Sequence, residues 1–336
     1  MYRSIVRGVG HYVPQRVVRN ADLEAVMDTS DAWIRERTGI EERRFSDLTT
    51  ETTSEMGVRA ARLALERAGI EARELDLIVF ATLSPDYYFP GPGVQVQQAL
   101  GLAEIGAIDI RNQCSGFVYA LSVADQFIKT GMHRTVLVIG SELHSGGLDL
   151  TDRGRAVSVI FGDGAGAVVV QRAREDEADR GILSTHLHSQ GEHAQELALL
   201  EPSTRHWVHK IVAEQNPENT GYYPYMNGNF VFKHAVTRFK EVIEEAFAHN
   251  GLNLSQLDLL VPHQANLRIS QFIQQSMGLS DSQVFNNIQK YGNTTAASIP
   301  LALSEAWEQG RVQPGQLVCL AAFGSGFTWA SALIRW

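Results

Sequence analysis

Ala107-Ile108-Asp109-Ile110-Arg111-Asn112-Gln113-Cys114-Ser115-Gly116-Phe117 decides how this chain is read. Its first residues alternate, Ile108 and Ile110 against Asp109 and Arg111, and predict a short strand. From Phe117 the period changes. Phe117, Ala120, Leu121, Ala124, Phe127 and Ile128 recur at helical spacing, and Gly131 stands where a helix end favours glycine. Cys114 is therefore placed where a strand hands over to a buried helix. Unpaired N–H groups and the macrodipole at a helix N-terminus favour an anion, so a thiolate below the usual thiol pKa of ~8.5 is expected there. The same position suits a packed core thiol, because cysteine is among the most buried residue types.

Working outward, helices and apolar runs keep alternating. Ile5 to Val13 reads as an opening strand and Asn20 as a helix start. Asp31 to Thr38 reads as a short helix stopped by Gly39, and Thr53 to Ala68 as an amphipathic helix ended by Gly69. Leu75-Asp76-Leu77-Ile78-Val79-Phe80 has the nearly continuous apolar character of a strand covered on both faces. The order points to an α/β architecture with a mainly parallel sheet. The chain then repeats. Ala68-Gly69-Ile70 followed by Leu75-Asp76-Leu77-Ile78-Val79 returns as Asn250-Gly251-Leu252 followed by Leu257-Asp258-Leu259-Leu260-Val261, a shift of 182 residues. The same shift sets Leu121-Ser122 on Leu303-Ser304, and Thr135–Ile139 on Leu317–Ala321. So long a period means two copies of one α/β unit. Cys114 falls on Ala296, three residues after Asn293, so two equivalent strand-to-helix turns are expected to meet at the centre. The halves are read as residues 1–172 and 226–336, with 173–225 between them as an insertion or lid, rich in charge, histidine and turn residues.

Composition bounds the partners. With 336 residues, 44% hydrophobic and 20% charged, the chain has ordinary material for a large core. A net charge of −9 argues against general nucleic-acid binding. Two cysteines, Cys114 and Cys319, make no disulfide framework and fit a reducing compartment. The first residues lack the apolar core of a signal peptide. Leu317–Ile334 is long enough for a membrane span, but Gly324-Ser325-Gly326 breaks it into two buried strands. A soluble cytoplasmic protein, with neither nucleic acid nor membrane as partner, is expected.

Three further stretches carry chemistry. In Val261-Pro262-His263-Gln264-Ala265-Asn266, His263 follows the C-terminal end of an apolar strand, where α/β proteins gather ligands. Gly292-Asn293-Thr294-Thr295-Ala296-Ala297-Ser298 is a turn opening a closely packed helix. Phe323-Gly324-Ser325-Gly326-Phe327 is a glycine-flanked loop whose N–H groups suit an oxyanion. Singly, each also reads as ordinary structure: a hydrogen-bonded core histidine, a helix cap and a tight strand connection.

Together, in this order, they resemble β-ketoacyl-acyl-carrier-protein synthase III, a condensing enzyme of the thiolase superfamily. Asp31–Ile40, Thr151-Asp152-Arg153-Gly154 and Phe161-Gly162-Asp163-Gly164-Ala165-Gly166 extend the likeness over nearly the whole length. The resemblance implies a thiolase-like fold, duplicated and five-layered (αβαβα), working as a homodimer. It implies a decarboxylating Claisen condensation of an acyl-coenzyme A primer with malonyl-acyl-carrier-protein, which starts fatty acid synthesis. Coenzyme A is then a substrate carrier, and neither cofactor nor metal is required. By the same resemblance Cys114 carries the acyl group, His263 and Asn293 bind the malonyl thioester carbonyl, and Gly324, Ser325 and Gly326 form the oxyanion loop. Trp33, Arg37, Arg153 and Asn266 hold coenzyme A, Lys233 and Arg268 receive the carrier protein, and Phe89 closes the acyl pocket across the dimer.

Three departures stand out. Gln275-Ser276 replaces a lysine pair frequent in the family and weakens the carrier-protein patch, the long middle segment suggests a longer primer, and the loop Ser84–Pro90 carries Phe89, which favours a short one. A sibling enzyme with a medium-chain primer or a secondary-metabolic product uses the same triad. A silent partner subunit would be expected to lack part of it. Gly162–Gly166 has neither Walker nor dinucleotide spacing and is read as tight packing. His186, His188 and His193 lack the register of a metal site.

Overall fold

The computed structural model describes residues 2–177, 179–216 and 219–336. Met1 and the middle of the turn read at Asn216–Asn219, Pro217 and Glu218, lie outside them. The first sheet holds β1 (Ser4–Tyr12), β2 (Leu77–Ala81), β3 (Gly106–Ile110), β4 (Thr135–Glu142) and β5 (Gly164–Arg172), in the order β1-β5-β4-β2-β3. The second holds β6 (Gly181–Ser189), β7 (Leu259–Pro262), β8 (Leu317–Gly324) and β9 (Thr328–Arg335), in the order β6-β9-β8-β7. Directions match as well. β2 runs parallel to β4 as β7 does to β8, while β5 and β9 are antiparallel to their neighbours. A parallel bridge from Leu260 to Val284 stands where β3 lies in the first sheet.

The repeat is therefore visible in three dimensions, but its second copy begins earlier than the residue pattern indicated. Gly181–Ser189 pairs with β9 along its length, from Gly181 opposite Arg335 to Ser189 opposite Thr328. The segment 173–225 is thus no single insertion, because its strand 181–189 is the counterpart of β1. What remains between the halves includes one short helix, α4 (Val208–Glu214).

Helix boundaries follow local chemistry. α1 (Asp31–Thr38) and α2 (Thr53–Ala68) start at Ser30 and Thr52, whose hydroxyls accept from Trp33 and Glu55 N–H. Both end at glycines in the left-handed region, Gly39 and Gly69. α3 (Gly116–Lys129) and α7 (Ser298–Glu308) lie between the sheets. Phe117, Leu121 and Ala124 of α3 share one core cluster with Ile299 and Leu303 of α7, Val136 and Val138 of β4, and Val318 and Leu320 of β8. The alternate residues of β4, Leu137 and Ile139, meet Met56, Ala60 and Ala64 of α2. Those of β8, Leu317, Cys319, Ala321 and Phe323, meet Phe239 and Ile243 of α5 (Gly228–His249) and Ile273 of α6 (Leu267–Ser276). Helix, sheet, helices, sheet, helices make five layers.

Candidate active site

Two turns related by the repeat meet at the centre. Gln113–Ser115 leads into α3 and Thr295–Ala297 into α7. The residue opening each turn, Gln113 and Thr295, has positive φ (+41° and +50°), which is uncommon for side chains of this size. A Cβ on Gly116 would lie 3.5 Å from the Ala296 Cβ, and one on Gly140 of β4 only 2.3 Å from the Ala296 carbonyl oxygen. Such approaches hold both turns against the strand ends.

Cys114 lies in the first turn, 7% exposed. The N–H groups of Ser325 and of Cys114 itself face its sulfur and favour the thiolate. The loop Gly324–Gly326 is fixed by Ser325 Oγ donating to Leu197 O and by Thr328 Oγ1 donating to Ser325 O at 3.1 Å. The thiolate expectation fails here. Burial and the charge of Glu142 push the Cys114 thiol up to about 12, and the two N–H groups offset this only in part.

His263 follows β7, its N–H bonded to Ala321 O at 2.8 Å. Its Nδ1 is 2.6 Å from Ser298 Oγ, while buried Nε2 has no hydrogen-bond partner among the described residues. Burial pushes the ring down to about 3, so it is neutral at physiological pH. Asn293 is held through its backbone by Ile160 O at 2.8 Å and Gly162 N–H at 3.1 Å. Its Oδ1 accepts the Thr295 N–H at 2.8 Å, which assigns the amide NH₂ to the cavity side. Gly162–Gly166 does pack tightly here. Asp163 accepts from the N–H groups of Ser46, His144 and Ser145, and Gly162 anchors Asn293.

A cavity of about 360 Å³ joins these groups. Cys114, His263, Asn293 and Gly324 line it together with Trp33, Arg37, Asn266 and Arg268. Arg37 lies over the Trp33 ring at 4.5 Å, and so does Arg155 at 4.9 Å. Arg155 was not singled out in the sequence. Arg153, two residues earlier, is instead held by Asp149 at 2.7 Å, with its guanidinium 3.8 Å from the Tyr223 ring. Both amide ends of Asn266 are in use. Nδ2 donates to Arg37 O and Oδ1 caps α6 through Arg268 N–H, so the side chain braces the rim. Lys233 is exposed on α5, next to Phe232, above which Arg268 stands at 6.0 Å.

Phe89 is 78% exposed and lines neither this cavity nor any wall of the single chain's core. Its loop is rooted at Ser84, whose carbonyl accepts from Thr53 Oγ1 and whose hydroxyl donates to Glu142. The histidines make pairs: His186 and His188 share Glu245, and His193 packs against Phe230, His234 and Phe327. Among the described residues, no group of three or more His, Cys, Asp or Glu is placed to hold a metal.

Glu142, at the end of β4, was also missed. It is fully buried and accepts from Thr82 Oγ1, Leu83 N–H and Ser84 Oγ, and burial pushes it up to about 7. Neutral His263 and His144, the latter pushed down to about 4 by burial, act in the opposite sense. Both rings bind fewer protons folded than unfolded, so the stability they allow is complete above pH 6.5 and drains away as pH falls towards 4. Glu142 binds more protons folded, so its contribution is fullest in acid and is lost as pH rises towards 7. From pH 7.5 to 5 the two effects oppose each other. In Glu142→Gln the compensation is gone, and unfolding free energy should drop about 2 kcal/mol more steeply than in wild type. Denaturant melts at the two pH values measure this; parallel changes would overturn it.

The model for 3-oxoacyl-[acyl-carrier-protein (ACP)] synthase III matches residues 108–191, and its C-terminal counterpart matches 247–336. A β-ketoacyl-[acyl-carrier-protein] synthase III of Rhodospirillum centenum is 50% identical, with 99% of each chain covered. The chain belongs to the β-ketoacyl-acyl-carrier-protein synthase III family. The Escherichia coli K12 synthase III is 48% identical over the whole of both chains. The crystal structure of the Aquifex aeolicus synthase III superposes with a TM-score of 0.89 at 42% identity, covering 99% of this chain and 100% of that one. Membership in the synthase III family makes the chain an acyl-transferring condensing enzyme of thiolase fold.

Proposed function

We infer that the chain joins an acyl-coenzyme A primer to malonyl-acyl-carrier-protein, releasing carbon dioxide and priming fatty acid synthesis. The observation that carries this is one cavity presenting a thiol backed by the Ser325 N–H, a neutral imidazole and an amide NH₂.

In the first half-reaction the Cys114 sulfur attacks the primer's thioester carbonyl, and coenzyme A leaves as the thiol, so the proton given up by Cys114 is accounted for. The N–H groups of Cys114 and Ser325 hold the tetrahedral oxyanion. In the second, the malonyl carbonyl accepts from His263 and Asn293. Carbon dioxide departs, and the enolate carbon attacks acyl-Cys114, whose sulfur leaves as thiolate and takes a proton from solvent. Two neutral donors stabilise the enolate oxygen without supplying an acid strong enough to quench its carbon.

Trp33 and Arg37 would hold the coenzyme A nucleotide, with Arg155 sharing the Trp33 face, and Arg153 reaching phosphate after leaving Tyr223. Asn266 would brace the pantetheine path. Lys233 and Arg268 offer positive charge to the acidic carrier protein. We propose a homodimer working in the cytoplasm. Among the described residues the outer edge of β3 pairs with no other strand, and Tyr87, Tyr88 and Phe89, all exposed, share one loop, so Phe89 would reach a partner's acyl pocket. No described helix is long and apolar enough to cross a membrane.

Incubating the protein with coenzyme A thioesters of two to twelve carbons and weighing it intact tests the reading. A single adduct, strongest at two to four carbons and consumed by malonyl-acyl-carrier-protein, is expected. An optimum at eight carbons or more would reassign the primer to the medium-chain class. The absence of any adduct would remove the acyl-enzyme mechanism.

A further inference from the structure

Ser298 opens α7, is 2% exposed, and lies 35 residues from His263 in sequence. Its Oγ is 2.6 Å from His263 Nδ1 and 3.3 Å from the Gln264 nitrogen. We propose that Ser298 is a positioning residue that fixes His263 in the tautomer with its proton on Nε2.

The argument is an accounting of protons. A hydroxyl has one proton and two lone pairs. The Gln264 N–H can only donate, so it occupies one lone pair of Ser298 Oγ. If His263 carried its proton on Nδ1, that proton would occupy the other. The serine's own proton would then be buried without an acceptor, since no further partner of this hydroxyl lies among the described residues. With the proton on Nε2 every group is satisfied. Gln264 N–H donates to Oγ, Oγ–H donates to Nδ1, and Nε2–H is left over. Nε2 is the ring atom that is buried and lacks a hydrogen-bond partner.

The backbone donor is itself immobile. The Gln264 amide donates to Pro262 O and Phe285 O and accepts from Asn287 and Ile288 N–H. Burial keeps the ring neutral, so the choice between two neutral tautomers is the one that matters. The consequence for chemistry rests on the function proposed above. A thioester carbonyl needs a donor, and the other tautomer would present a lone pair to it.

The test separates tautomer from turnover. In ¹⁵N-histidine-labelled protein, long-range ¹H–¹⁵N spectra distinguish Nε2–H from Nδ1–H. Wild type is expected to show His263 as Nε2–H, and Ser298→Ala to show a substantial Nδ1–H population. Primer-free decarboxylation of malonyl-acyl-carrier-protein should fall about tenfold or more in Ser298→Ala. Cys114 acylation should change less than threefold, and Ser298→Thr should restore both tautomer and decarboxylation. An Nδ1–H signal in wild type overturns the proposal even if the alanine variant fails to fold. So does an alanine variant with unchanged tautomer and decarboxylation. Because the spectrum needs no substrate, a wild-type protein that is Nε2–H yet inactive would count against the proposed function and not against this assignment.

Discussion

Cys114→Ala is expected to take no acyl group from any coenzyme A thioester and to lose condensation by about 10⁴-fold or more. Cys319 offers no substitute. It lies on the outer face of β8, fully buried among Leu317, Ala321 and Phe323, away from the inner cluster. The anchors of the other two site residues do not involve the sulfur: His263 is held by Ser298 and Ala321, Asn293 by Thr295, Ile160 and Gly162. Primer-independent decarboxylation of the malonyl thioester should therefore survive within about tenfold. Intact mass and carbon dioxide release, measured on the same preparation, check both halves. An adduct persisting in the alanine variant would place the nucleophile elsewhere.

Gly324→Ala should cost nearly as much for a different reason. A Cβ at this position would sit 2.4 Å from the Cys114 Cβ, 2.9 Å from its sulfur and 3.2 Å from its nitrogen. None of these atoms is the free end of a long side chain, and the cysteine turn is pressed between strand ends. The end of β8 has to recoil, carrying the Ser325 N–H away from the sulfur. Losing one oxyanion donor costs about 10² to 10³ in rate, and the crowding should destabilise the fold by about 1–3 kcal/mol. Single-turnover acylation and a denaturant melt measure the two effects. Acylation at the wild-type rate would show that the glycine is dispensable.

The sequence revealed much of this framework where local chemistry decides local structure. Gly39 and Gly69 end their helices because a left-handed residue is required, and that need is written at single positions. The duplication was legible because Leu77 and Val79 return as Leu259 and Val261, and all four face the same interior. The strand Gly181–Ser189 was not. Its Ser184, His186 and His188 read as loop residues, and only the hydrogen-bonded neighbour β9 makes them a strand. At the site, the residue pattern put Cys114 ahead of a buried helix, His263 after an apolar strand and Asn293 in a turn opening a helix, and all three line one cavity. At Cys114 the local helix effect is outweighed by burial and by the charge of Glu142, which comes from across the fold. Arg155 and Ser298 left no signal in spacing, since their partners Trp33 and His263 are distant in sequence.

The paired turns have a further meaning. A duplicated unit offers two seats of the same shape, yet only one is furnished. Where the first copy has Cys114, the second has Ala296, and the N–H of that alanine is 3.4 Å from a Glu142 oxygen. Along the 182-residue repeat, Glu142 is the counterpart of Gly324. One seat thus keeps a thiol facing the cavity while the other is filled by a carboxylate, and a chain acylated at Cys114 would carry a single cargo. Symmetry built the chamber, and its breaking at two positions gave the chamber a front and a back.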